Sequence, residues 1–174
     1  MKRILFGFIL GLTVSAALAG SVTVAVNRTT KDGKGAALGT VTFKDSCYGL
    51  LIEPKLHGLK PGLHGFHIHQ KPDCGNNGLN ASGHFDPDHT GKHLGPFNSG
   101  GHLGDLPALY VNNKGQAIHP TLAPRLRVRD LYDHSIMVHE GGDNYSDTPE
   151  KLGGGGKRIG CGVILKEQPK SVKK

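Results

Sequence analysis

The chain has 174 residues, 27 of them glycine, with no tryptophan, 6% aromatic residues, and 21 lysines and arginines against 14 aspartates and glutamates. That length builds one domain with a substantial core, and a glycine share about twice the usual one without a G-X-Y period excludes collagen and points to turn-rich β structure with long loops. The net charge of +7 favours anionic partners, but no aromatic platform or basic helix for nucleic acid is present, which sets nucleic acid aside.

The chain opens MKRILFGFILGLTVSAALAG. Lys2 and Arg3 precede an apolar stretch over residues 4–14 that is short for a membrane span, and Ala17-Leu18-Ala19 fits the A-x-A cleavage rule. Residues 1–19 are therefore expected to be a secretory signal peptide cut after Ala19. Residues 20–174 form the mature domain, with no stable membrane insertion after cleavage. Export implies an oxidising compartment, where Cys47, Cys74 and Cys161 make one pair and one remainder; spacing alone does not say which.

Short alternating or β-branched stretches follow at residues 22–26, 39–43, 49–53, 65–69, 108–112, 135–139 and 159–165. Part of 116–128 is an eighth candidate, blurred by Pro120 and Pro124. No stretch of ten residues has helical periodicity. The expectation is an all-β domain of eight strands. Two segments without strand pattern, 71–106 and 140–158, are long enough to be functional loops.

All eleven histidines lie between His57 and His139. In Gly65-Phe66-His67-Ile68-His69, alternation places His67 and His69 on one strand face, roughly 7 Å apart. They are too far apart to hydrogen-bond directly, but could turn toward one metal ion. Alone, the pair reads equally as exposed or core-rim histidines. The first long loop then supplies His84, His93, His102 and, three residues on, Asp105. Three nitrogens and one carboxylate form a closed tetrahedral set that suits zinc, and an ion would order a glycine-rich loop that lacks a core. His139 ends the apolar run SIMVH as a further ligand for whatever His67 and His69 hold.

From GLHGFHIHQKPDC through GHFDPDHTGKHLGP, GGHLGDLPAL, LAPRL and MVHEGGDNYSD to GGGGKRIGCGVI, the chain resembles the exported bacterial branch of the copper/zinc superoxide dismutases. The first sixty residues resemble it only in strand character. The resemblance implies an antiparallel Greek-key sandwich or flattened barrel, and one copper and one zinc ion per subunit. It implies copper ligands His67, His69, His84 and His139, and zinc ligands His84, His93, His102 and Asp105, with His84 bridging the metals. Asp143 matches an aspartate hydrogen-bonded to one ligand histidine of each metal. Arg158 matches the arginine that guides superoxide to copper, and Cys74 and Cys161 match the family's disulfide. The implied reaction is dismutation of superoxide to dioxygen and hydrogen peroxide by Cu(II)/Cu(I) alternation, with zinc structural and His84 moving a proton. Small-anion steering by a basic channel is a principle for which these enzymes are a standing example. The implied location is the periplasm, and a homodimer is compatible with the pattern. The competing reading is a non-enzymatic copper or zinc carrier on the same fold; such a domain could dispense with copper ligands, bridge and arginine, yet all are present. Gln70 stands where many relatives carry glutamate. Cys47 has no partner in the pattern, and His57, His64, His89, His119 and His134 have no ligand role in it and read as structural or exposed. Lys71, Lys151 and Lys157 are candidates for a positive field near the site.

Overall fold

The structure, a computed structural model, describes residues 20–166; the expected leader and the last eight residues lie outside it. Nine strands run in chain order: β1 Ser21–Arg28, β2 Ala37–Ser46, β3 Gly49–Leu56, β4 Gly62–His64, β5 Phe66–His69, β6 Leu109–Val111, β7 Thr121–Ala123, β8 His134–His139 and β9 Arg158–Ile164. Seven form one curled antiparallel sheet in the order β5-β8-β9-β1-β2-β3-β7, and β4 pairs with β6 in a small ribbon. Non-sequential neighbours such as β5 beside β8 and β9 beside β1 give the expected Greek-key connectivity.

The strand count differs from the eight expected. The stretch read as a strand at 65–69 is β5, and the additional strand is β4, just before Gly65, which the sequence did not mark. The ambiguous stretch contributes only the three residues of β7, which end before Pro124. Longer strands alternate as period two requires. In β1, Val24 and Val26 point inward; in β2, Val41 and Phe43, with Leu38 brought into the core out of phase at the register shift opposite Val26/Asn27; in β3, Leu50, Ile52 and Leu56. Leu109 and Val111 of the ribbon join the same core. Each such side chain contributes roughly 1.5–3 kcal/mol by burial.

β5 and its neighbour β8 depart from the alternation: all four residues of β5 and five of the six of β8 are buried. Phe66 and Ile68 enter the barrel core with Ile136 and Val138 of β8. His67 and His69 face the other way, on the side of Met137 and Ser135, their register partners on β8. That outer face is covered by the two long loops. No helix among the described residues is long and apolar enough to cross a membrane.

Candidate metal centre

β5 is an edge strand of the large sheet, and its free side is occupied by the first long loop. Ile68 N–H donates to the Gly104 carbonyl at 2.9 Å, Phe85 N–H to the Ile68 carbonyl at 2.8 Å, and Gln70 N–H to the Gly83 carbonyl at 3.0 Å. These bonds set His84 opposite His69 and Asp105 opposite His67 as single antiparallel bridges. An unpaired strand edge thus recruits the loop residues to the strand histidines. His139 arrives from the end of β8, where a register shift follows Val138.

Two four-residue groups result: His67, His69, His84 and His139, and His84, His93, His102 and Asp105. All seven residues are buried, and within each group one ligand atom per residue lies within 4.8 Å of the others. His84 belongs to both. Its Nδ1 faces Asp105 Oδ1 at 2.9 Å, and its Nε2 is buried without a partner.

The outward nitrogen of most of these rings is already fixed. His67 Nε2–H donates to Asp143 Oδ2 at 2.7 Å, His69 Nδ1–H to the Ser82 carbonyl at 2.9 Å, and His139 Nδ1–H to the Gly156 carbonyl at 3.2 Å. His93 Nε2–H donates to Asp143 Oδ1 at 2.8 Å. The nitrogens left without a hydrogen bond are His67 Nδ1, His69 Nε2, His84 Nε2 and His139 Nε2 in one group, and His93 Nδ1 and His102 Nδ1 in the other. A buried polar atom without a partner costs about 1–3 kcal/mol. Six gathered this way, one of them on the shared His84 imidazole, fit a pair of metal ions, one per group. The all-nitrogen set suits copper, and the three-nitrogen, one-carboxylate set suits zinc. His67, His93 and Asp143 also cluster, but their facing atoms are already hydrogen-bonded to one another and need no third ion.

The electrostatics separate the two groups. Burial drives His67 and His69 well below the ordinary histidine range, with the nearby His84 adding to it, and lowers His139 to about 4. Burial lowers His84 too, against the opposing pull of Asp105. These rings stay neutral and keep a lone pair available. His93 goes the other way: burial is outweighed by the Asp105 and Asp143 carboxylates, which raise it to about 9. Burial alone would raise Asp105 and Asp143, but their histidine partners hold both far below the usual carboxylate range.

Arg158 and the shared face of His84 and His139 line a cavity of about 340 Å³ that also takes in Leu79, Lys151, Leu152 and Lys157. The Arg158 guanidinium is aimed by two bonds, Nη1–H to the Gly78 carbonyl and Nη2–H to the Ser82 carbonyl, both 2.6 Å. The Ser82 carbonyl therefore serves Arg158 and His69 together. Cys74 and Cys161 are joined as a disulfide, with Cα atoms 5.8 Å apart, packed with Met137 and Ala81.

Of the residues without an expected role, His57, His89 and His119 are exposed, and His134 Nδ1 lies 2.8 Å from the Gln70 carbonyl. Lys151 and Lys157 reach the cavity; Lys71 is not among the residues lining it. Cys47 is a free, exposed thiol. Sequence reasoning left the role of His64 open between structural and exposed, and missed Asp147. His64 is buried between two carbonyls, Nδ1 2.7 Å from that of His139 and Nε2 2.8 Å from that of Lys60. Asp147 accepts the His93 N–H at 2.9 Å and the Leu152 N–H at 3.1 Å, tying one long loop to the other. Neither carries a spacing signal, because both act on main-chain atoms.

The sequence profile of the family described as copper/zinc superoxide dismutase (SODC) matches residues 37–164. The superoxide dismutase [Cu-Zn] of Legionella pneumophila is 54% identical over 131 residues, which are 75% of this chain and 80% of that protein. The solved copper/zinc superoxide dismutase from Brucella abortus superposes with a TM-score of 0.79 at 44% identity, over 83% of this chain and 99% of that one. The solution structure of the monomeric copper, zinc superoxide dismutase from Salmonella enterica gives 0.73 at 47% identity, over 83% and 99%. With the profile covering most of the chain and the barrel, the histidine groups and the disulfide all in place, the chain belongs to the copper/zinc superoxide dismutase family.

Proposed function

We infer that the protein dismutes superoxide: two superoxide anions and two protons give one dioxygen and one hydrogen peroxide. His67, His69, His84 and His139 would hold copper, and His84, His93, His102 and Asp105 zinc. Copper, when bound, supplies a one-electron redox couple, and zinc, which has none, supplies charge and order. The observation that carries this reading is the set of six buried, unpartnered ring nitrogens, one of them on His84, which with His139 and Arg158 lines the cavity.

The chain's own residues do the rest. Asp143 fixes the ring orientation of His67 and His93 together, so one carboxylate orients a ligand in each group. His84 Nε2 is the atom at which a proton can be held and passed to the substrate. Arg158 offers an anion the guanidinium donors not already bonded to Gly78 and Ser82. Lys151 and Lys157 extend the positive potential to the cavity mouth, which favours the encounter with a small anion. Export to the periplasm is supported by the leader-like first nineteen residues and by the Cys74–Cys161 disulfide, which suits an oxidising compartment.

Metal-replete protein is expected to turn over superoxide in pulse radiolysis, and Arg158→Ala to lose about tenfold or more in rate with both metals retained. Arg158→Lys should fall between, keeping the charge without the planar fork. The wild-type rate should drop as salt screens the field beyond roughly 8–10 Å. Copper and zinc binding without turnover would replace this reading with that of a metal carrier.

A further inference from the structure

We propose that Arg125 is a positioning residue for the zinc-side group, holding His102 in place through its main chain. This rests on the reading of His102 as a zinc ligand. Metal-bound histidines ordinarily donate their second ring N–H to a carboxylate or carbonyl, which fixes the ring. His93 has such a partner in Asp143, and both nitrogens of His84 face the centre. His102 is different: among the described residues its Nε2 has no hydrogen-bond partner, and its Nδ1 faces Asp105 Oδ1 at 3.4 Å. It is also the most exposed residue of its group, at 7% against 3% or less for the other three. Nothing holds its ring from behind.

Its backbone is held instead. The His102 N–H donates to the Lys92 carbonyl at 2.9 Å. On the other side, Arg125 Nη1–H donates to the His102 carbonyl at 3.0 Å and Nη2–H to the Gly101 carbonyl at 2.9 Å. The two bonds use both arms of one guanidinium on consecutive carbonyls, so they fix the direction of the chain as well as its distance. Arg125 is half-buried and follows β7 by two residues, so its own backbone is anchored on the barrel rather than on the glycine-rich loop. The consequence is that the least supported ligand is referenced to the rigid sheet by a single side chain. Removing it should relax the main chain at 101–102 and leave the ring free to turn away.

The test is zinc affinity, measured by competition with a chromophoric chelator, for the wild-type protein, Arg125→Ala, Arg125→Lys and Arg125→Gln. Arg125→Ala is expected to raise the zinc Kd by roughly tenfold or more, as loss of an outer support does. Arg125→Lys, which can make one of the two bonds, should recover part of that. Copper occupancy of the His67–His69–His139 side should not change. Cobalt(II) placed in the zinc group reports geometry directly, and its visible bands should shift or weaken in Arg125→Ala. Should Arg125→Ala fail to fold without metal, the lysine and glutamine variants carry the test, since each keeps a long polar side chain. A zinc Kd within twofold of wild type in the folded variants, with unaltered cobalt bands, overturns the proposal even if the melting temperature falls. Failure of the wild-type protein itself to take up zinc would instead overturn the reading of the zinc site.

Discussion

Gly153 shows how little room the centre leaves. Its φ is +72°, and a Cβ there would collide with the Asp143 carboxylate and approach the His93 ring to 2.9 Å. The position therefore excludes a side chain twice, by backbone conformation and by space. Gly153→Ala is expected to displace Asp143, and because that carboxylate orients one ring in each group, both metals should bind more weakly. Metal analysis after equilibration with a chelator checks this, and the melting temperature of the metal-free variant should also fall. Retention of both metals at wild-type affinity would mean that Asp143 is not needed where it stands. Arg158 gives a second example of one atom serving two ends, since the Ser82 carbonyl binds both its guanidinium and the ring of His69.

His93 of the first long loop and the strand histidines respond to acid in opposite ways. His93 is raised to about 9, so at neutral pH the metal-free protein holds a proton there that a zinc ion bound by His93 would displace. In linkage terms, this ring stabilises the metal-free fold fully below its ordinary value of 6.5, and the contribution is lost as pH rises through about 9. His139 is lowered to about 4, and His67 and His69 are well below 6.5, so protons compete for the strand histidines only in stronger acid. Zinc is expected to leave before copper as pH falls from 7 toward 5, checked by metal analysis after dialysis across that range. Copper leaving first would contradict it. How this loop finds the strand was only half legible in the sequence. Alternation placed His67 and His69 on one face, and spacing singled out His84, His93, His102 and Asp105. The pairing of Gly83–Phe85 and Gly104 with the edge of β5 was not legible, because it runs through main-chain atoms that any residue supplies.

Across the molecule, the Cys74–Cys161 bridge closes a span of 87 residues, worth about 4–5 kcal/mol in the chain-entropy model. It also anchors the stretch whose Gly78 and Ser82 carbonyls aim Arg158, so Cys74→Ser should lower both the melting temperature and the turnover, although neither cysteine touches the metal groups. Thiol titration of the unfolded, unreduced protein should find one free thiol, Cys47; three would contradict the bridge. The barrel itself was legible where strands are long and alternate, as in β1 to β3. It was not legible at β4, and at β7 it was blurred within 116–128 by Pro120 and Pro124, where so short a strand gives periodicity little to act on. The pairing of the cysteines came from resemblance rather than spacing, since only the fold brings Cys74 of the first loop against β9. In the proposed function a single imidazole, His84, which belongs to both histidine groups, would stand between two different ions. Anomalous diffraction from crystals of the copper- and zinc-loaded protein, recorded at each metal's absorption edge, tests it most directly. The expected result is a copper peak on the Nε2 side of His84, among His67, His69 and His139, and a zinc peak on the Nδ1 side, among His93, His102 and Asp105. Exchanged peaks, or one peak with His84 bound to a single ion, would contradict the account.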